Sequence, residues 1–503
     1  MFRHVIKQSA PRVLSEQDVK KSLPYVTQDG VIAQLIESLT GGPVMIAVSL
    51  AIGVSNALLG YLLALPFLCH LAQFPGMYVV ERFRRRKWVV LFVSSPARLA
   101  LVGVAFLLLF PKVQGASYWL AFFYTLRYFG AGFATSSWNS WMRDLVPQSI
   151  LGVFFGNRYM YMVVAALGVS LLVASGLEWL PIPTSYFYIV LITAAICLVV
   201  YGFWVVGRID EPKMAAAPEN ETFMQRFRMV FSDGNFLRLI VFLGCLNFSI
   251  NLAVPFFTVY ILEQLKLNLG LVLILTSFTQ ITSILVMRIW GAISDKFSNK
   301  SVLSVTVPLY VLSIFLFLFT DYPDPHPLTV PLLFLIYILV GLAQSGVTLA
   351  SSNIALKLAP QGRASVYLSV NGIVTAVMAG TAPILGGLFA DFFVGKELFF
   401  TFNWHTTLTN ASFYVFGMKH WDFFFFFSSV LGFLCLTLLR RVREEGEVCE
   451  KIVISSFLSS FYRTISPAAL SQRVYWYFWE KKQPVALVPN IAVPVNVPAA
   501  RKK

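Results

Sequence analysis

Long apolar runs alternate with short polar stretches along the 503-residue chain. A run of about 18 or more apolar residues crosses the hydrocarbon of a bilayer as a helix. Twelve such spans are predicted, at 30–53, 56–80, 88–110, 117–138, 158–178, 186–206, 237–261, 269–291, 301–320, 328–350, 364–393 and 421–439. In the first, Gly41-Gly42-Pro43 interrupts the helical pattern and Glu37 lies in its early part, so it reads as a full span or as an interfacial turn with a short span behind it. The stretch 207–235 holds Pro212 and a run of three alanines before Pro218, and reads as a linker. The pattern divides the chain into an N-terminal segment 1–29, a six-helix half 30–206, the linker 207–235, a second half 236–439 and a tail 440–503. The expected fold is an all-α polytopic membrane protein with two pseudo-symmetric halves.

The polar stretch Gly291-Ala-Ile-Ser-Asp295-Lys296-Phe-Ser-Asn-Lys300 has an echo about 210 residues earlier, Met77-Tyr-Val-Val-Glu81-Arg82-Phe-Arg84-Arg85-Arg86. Both read as a tight charged hinge between two buried helices. A carboxylate there can accept hydrogen bonds from the free N–H groups at the start of a neighbouring helix and from nearby bases. The spacing resembles the loop signature of the major facilitator superfamily, Gly-x-x-x-Asp-Arg/Lys-x-Gly-Arg/Lys-Arg/Lys, found between helices two and three and between eight and nine. The first copy departs from it, with Met77 for the leading Gly, Glu81 for Asp and Arg84 for the second Gly. One further stretch strengthens the likeness: Arg127-Tyr-Phe-Gly130-Ala-Gly132 resembles the family's helix-four motif, with its first Gly one place early. Gly380-Thr-Ala-Pro383-Ile-Leu-Gly386-Gly387 resembles a helix kink that family antiporters carry in helix five, but it stands in helix eleven, and helix five has Gly168 and Gly176 without a proline, so the antiporter signature is absent from its diagnostic place. The resemblance implies a twelve-helix transporter whose hinge groups Glu81, Arg82, Gly291, Asp295 and Lys296 close the cytoplasmic side and release it. The segments after helices four and ten, Trp141 to Gln148 and Ile354 to Gln361, also echo each other, as expected of repeated halves.

Composition agrees with lipid as the main solvent, at 57% hydrophobic and 13% charged residues. The net charge of +15 does not point to nucleic acid, because 31 of the 39 Lys and Arg lie in alternate loops and the two ends, with four in the loops opposite. That bias predicts both termini in the cytoplasm, and with no apolar leader in the first thirty residues a bacterial inner membrane is the expected location. The five cysteines are scattered, four of them in apolar runs, without the spacing of a metal or disulfide site. No nucleotide-binding loop, metal motif or nucleophile with its base is legible. The expectation is therefore no enzyme, no catalytic residue, no metal and no cofactor.

Charges inside the spans remain. Arg127 lies roughly 14 Å deep in helix four at 1.5 Å per residue. A guanidinium there requires a partner, water or protein around it. Gly130, Ala131 and Ala134 make a small face beside it, suited to packing next to a cavity. Glu37 is the expected partner of Arg127 or Arg98, and together they form a candidate proton pathway. A structural Arg127 held by a backbone carbonyl, and an interfacial Glu37, stay open as alternatives. Arg98, in helix three, reads as structural. In the second half Asn247, Asn251, Gln280, Gln344 and Asn371 fall on helices seven, eight, ten and eleven, where amides serve as ligands or as interhelical glue. In the resembled family those helices line the central cavity.

The expected function is alternating-access transport of a small solute, with a proton or other ion as coupling partner and the bilayer as the other partner. Two basic spans against one acid hint at an anionic or amphiphilic solute. A lipid or drug exporter of the same fold, and a membrane sensor or scaffold acting through its tail, are the competing readings.

Overall fold

The computed structural model describes residues 14–110, 112–147, 151–180, 183–213, 230–321, 327–359, 364–405 and 410–465. Among these, the crossing helices are α1 (Glu16–Ile52), α2 (Asn56–Val80), α3 (Arg86–Leu109), α4 (Ala116–Leu145), α5 (Leu151–Trp179) and α6 (Thr184–Gly207) in the first half. The second half holds α7 (Gly234–Glu263), α8 (Leu269–Lys296), α9 (Asn299–Phe319), α10 (Thr329–Leu358), α11 (Ala364–Phe393) and α12 (Trp421–Arg441). Eleven of these are long and apolar enough to cross a membrane by composition. The twelfth, α4, has the length, at 30 residues, but carries Arg127, Asn139, Arg143, Asp144 and several hydroxyls. Arg127 and Asp144 are paired with charges from other helices of its half.

Several boundaries differ from the hydropathy pattern, and two of them bear on the site residues. α1 starts at Glu16, not near residue 30, because Ser15 and Asp18 form a reciprocal capping box and the helix then runs through Pro24 to Thr40. Part of the expected N-terminal segment is therefore helix one. α8 runs on to Lys296, so Asp295 and Lys296 belong to its last turn. α1 breaks where expected: Gly42 is left-handed at φ 47°, and the helix resumes over Gly42–Ile52.

α3 carries a π-helical turn at Val90–Ser94, just before Pro96. The proline lacks an N–H and its ring crowds the carbonyl four residues back, which favours such a bulge. Beyond α11, where the pattern predicted only a loop, β1 (Glu397–His405) and β2 (Asn410–Lys419) pair antiparallel, from Glu397 opposite Lys419 to His405 opposite Asn410. A final helix, α13 (Glu450–Ile465), follows α12. It lies under α8 and α9, with Val453 buried and Phe457 stacked on Trp290 at 4.4 Å. The stretch 475–482, which the sequence leaves open as a surface helix or as tail without structure, is outside the described residues, as is most of the linker.

The halves meet closely on the side away from the chain ends. A Cβ on Gly60 of α2 would strike the Pro383 carbonyl of α11, and one on Gly387 would strike the Asn56 carbonyl. The Ala57 N–H donates to Asp391 Oδ2 at 3.0 Å, so a carboxylate of one half caps a helix of the other. Gly270 of α8 sits against the Ala174 carbonyl of α5. Small residues allow this approach of backbones in an apolar medium.

Candidate functional site

The break in α1 creates the first part of the site. Without a continuous helix past Gly41, the Thr40 carbonyl is left for side chains, and Tyr124 Oη donates to it at 2.9 Å and Arg127 Nη1 at 3.3 Å. Arg127 Nη2 also donates to Glu37 Oε2 at 2.7 Å, and Tyr128 Oη to Glu37 Oε1 at 3.0 Å. The Arg127 side chain is 5% exposed and that of Glu37 is 44% exposed, so the base is sealed in protein while the acid meets open space. Both alternatives for Arg127 hold at once: it grips a backbone carbonyl and pairs with an acid. Gly41 is required here, since a Cβ would fall on the Glu37 carboxyl. Of the small face of α4, Gly130 packs on Ala97 of α3, while Ala131 and Ala134 line a cavity within the first half; Gly132 packs on the Cys69 carbonyl of α2.

A cavity of about 320 Å³ opens between the halves one turn away, lined by Gln34 of α1, Tyr159 of α5, Thr279, Gln280 and Ser283 of α8, and Gln344 and Thr348 of α10 among others. Its lining holds neutral hydrogen-bonding groups and no charge, which does not favour the anionic solute suggested by the charge count. Gln280 Oε1 is buried without a hydrogen-bond partner among the described residues, and such an acceptor calls for a donor. Of the five amides singled out, Gln280 and Gln344 reach this cavity. Asn247 and Asn251 instead spend their amide N–H groups on the carbonyls of Leu243 and Asn247. Asn371 lies outside the lining, with its buried Oδ1 unpartnered among the described residues.

The hinges differ from expectation in which acids do the capping. Arg82, Asp295 and Lys296 are exposed, and the Glu81 side chain is outside the described residues. Lys296 rests over the Phe297 ring, and Gly291 makes only ordinary contact with Leu349. The N–H groups at the start of α3 and α9 are taken by acids from beyond the last helix of each half. Glu211 Oε1 accepts from Arg86 N at 2.6 Å, and Glu444 Oε2 from Lys300 N at 2.7 Å. Arg86, fully buried, reaches Asp144 at the end of α4, and Glu444 pairs with Lys357 at the end of α10 at 3.0 Å. Lys87 caps the end of α6 through the Gly207 and Ile209 carbonyls. Burial pushes the Glu211 carboxyl above the usual carboxylate range, against the pull of the Arg86 and Lys87 N–H groups. One signal for these acids stood in the sequence: Arg208-Ile209-Asp210-Glu211 after α6 repeats as Arg441-Val442-Arg443-Glu444 after α12.

A sequence model of the Major Facilitator Superfamily matches residues 30–383 and 282–479. Among solved structures, a mutant of the nucleoside transporter NupG is 13% identical with a TM-score of 0.63, covering 84% of this chain and 100% of its own. A D-xylose-proton symporter is 13% identical with a TM-score of 0.59, covering 85% and 100%. A bacterial homologue of the human lysosomal transporter Spinster, in an inward-facing and occupied conformation, is 13% identical with a TM-score of 0.55, covering 94% and 100%. At this identity the likeness is one of fold. The search of curated proteins found no match.

Proposed function

The chain belongs to the major facilitator superfamily, and from that premise we propose that it carries a small neutral, hydroxyl-bearing solute through the cavity between its halves by alternating access, coupled to a proton at Glu37. The observation that carries this reading is the pairing of a sealed Arg127 with a partly exposed Glu37, one helical turn from Gln34 in the lining of an uncharged pocket. An acid within reach of water can take up a proton, and on doing so it weakens its hold on Arg127. The Thr40 carbonyl, which Arg127 also touches, ties that change to the α1 break. The nucleoside and xylose transporters that share the fold handle polar solutes of this kind.

In this state the halves touch on the far side, and the exposed Asp295 is free of ion pairs among the described residues, which fits a hinge that has let go. We assign the side bearing the chain ends to the cytoplasm from the distribution of Lys and Arg. Asn247, Asn251 and Asn371 then serve helix packing, while Gln280 and Gln344 bind solute. No enzymatic step belongs to this reading.

The test is thermal unfolding of the purified protein against a panel of sugars, nucleosides, amino acids, carboxylates and amphiphiles, for wild type, Gln280→Ala and Arg127→Ala. A ligand that binds only the folded state raises stability by RT ln(1 + [L]/Kd). A sugar or nucleoside should stabilise the wild type and lose its effect in Gln280→Ala. Stabilisation by amphiphiles alone, equal in all three proteins, would instead support the exporter reading.

A further inference from the structure

A second cavity, of about 240 Å³, lies inside the first half, walled by α1, α3, α4, α5 and α6. It is separate from the central cavity and shares none of its lining. The π-helical turn of α3 forms one wall and brings Ser94 and Ser95 to its edge. Asn139, near the end of α4, marks its exposed mouth.

The charges around it do not balance. Arg127 is bonded to Glu37 at 2.7 Å. Arg158 pairs loosely with Asp29 at 3.9 Å, donates to the Val26 carbonyl at 3.1 Å and lies over the Trp138 ring at 4.6 Å. Arg98 is left over: it feels Asp29 and Glu37 at longer range and is repelled by Arg127. Among the described residues it makes no hydrogen bond or close ion pair. The cluster thus holds three guanidinium groups against two carboxylates, within helices that cross the membrane. An excess positive charge there costs a few kcal/mol or more unless an anion or water compensates it. Apart from the Asp29 carboxylate and Arg158, which also line the pocket, the polar groups beside Arg98 are uncharged donors. The Ser94 and Ser95 hydroxyls and the Asn139 amide have no partner among the described residues, and all three can donate. A fixed guanidinium ringed by donors recognises a planar or tetrahedral oxyanion through charge-assisted hydrogen bonds.

We infer that this pocket binds one small oxyanion, a carboxylate or a phosphate, with Arg98 as its anchoring cation and Ser94, Ser95 and Asn139 as donors. Asp29, which lines the same pocket, is shared between Arg98 and Arg158, so one carboxylate faces two guanidinium groups and Arg98 keeps charge for an anion. The site stands whether or not the central cavity carries the proposed solute, because none of its groups touches that cavity.

The experiment is equilibrium binding of radiolabelled inorganic phosphate and acetate to the purified full-length protein at constant ionic strength. Saturable binding of one anion per chain is expected. Arg98→Gln should weaken it at least tenfold, whereas Gln280→Ala, in the central cavity, should leave it unchanged. If Arg98→Gln does not fold, Ser95→Ala combined with Asn139→Ala removes two donors without altering charge and should weaken binding severalfold. Repeating the measurement in nanodiscs of phosphatidylcholine and of phosphatidylglycerol separates the sources. Loss of phosphate binding in either lipid relative to lipid-free detergent identifies a headgroup phosphate as the occupant, since both lipids carry one; binding equal to that in detergent identifies a free oxyanion. The inference is overturned if the wild type binds neither anion saturably and the lipid has no effect, or if binding survives loss of Arg98.

Discussion

Glu37 and Arg127 were conspicuous in the sequence because an ionised group inside an apolar run is costly and therefore rare. What holds them was not legible. Tyr124 and Tyr128 are ordinary residues on an aromatic-rich helix, and the Thr40 carbonyl is backbone, exposed only by the Gly41 break. Gly41→Ala, whose methyl would fall on the Glu37 carboxyl, should displace the pair and lower transport at least tenfold, about 1.4 kcal/mol. Glu37→Gln should abolish accumulation driven by a pH gradient in proteoliposomes while sparing solute exchange; unimpaired accumulation would remove the proton from Glu37. Glu211 and Glu444 escaped notice for the opposite reason, since each stands in a charged stretch where an acid is unremarkable. Removing Glu444, which takes hydrogen bonds from the Lys300 N–H and the Asn299 amide, should cost about 1.5–3 kcal/mol in thermal unfolding. Glu211 has a raised pKa from burial, so its sign is that of a buried acid. Its stabilising contribution is complete below the ordinary glutamate value of about 4.3 and is lost as pH rises through the raised folded value. Wild type should therefore gain stability relative to Glu211→Gln as the pH falls from neutral into that window, and parallel pH profiles would contradict the assignment.

At the scale of elements, the positions of eleven helices followed from hydropathy alone, and α4 followed from length despite its charges. The start of α1 did not, because residues 16–29 are polar and their helix depends on a cap and on packing against α5 and α6. The β1–β2 hairpin was missed for a related reason: an aromatic, β-prone loop between two apolar runs carries no span signal. The glycine-rich stretch of α11 was legible as a motif but not as a contact. Its role in the structure is to let α11 touch α2 at Gly60 and Gly387. Gly60→Val should overpack this contact by about 1–3 kcal/mol, shifting the population away from the far-side-closed state by roughly ten- to a hundredfold. The distance between spin labels at Ala51 and Val394, exposed positions on the far side, should lengthen accordingly. α13 covers Trp290 through Phe457, so a chain ending at Cys449 should melt at lower temperature yet keep transport. If truncation removed the only activity and left folding intact, the scaffold reading would replace the present one.

For the whole molecule, the two halves are repeats whose hinge networks share a capping acid, Glu211 or Glu444, and differ in sign only where α4 ends in Asp144 and α10 in Lys357. Asp144 with Arg86 in the first corresponds to Lys357 with Glu444 in the second. Each network ties α3 or α9 to the end of its own half, and among the described residues the halves approach each other most closely on the side away from the chain ends. Alternating access is the central claim that follows, and a pair of interspin distances tests it most directly. In a background lacking the five native cysteines, one label pair at Arg82 and Lys296 reports the side of the chain ends, and one at Ala51 and Val394 reports the far side; all four positions are exposed. The unliganded protein should show a long Arg82–Lys296 distance with a short Ala51–Val394 distance. A bound solute, or Glu37→Gln, should populate a second state in which the first shortens as the second lengthens. Distances that stay fixed under every condition, or that lengthen together, would contradict a rocking transporter.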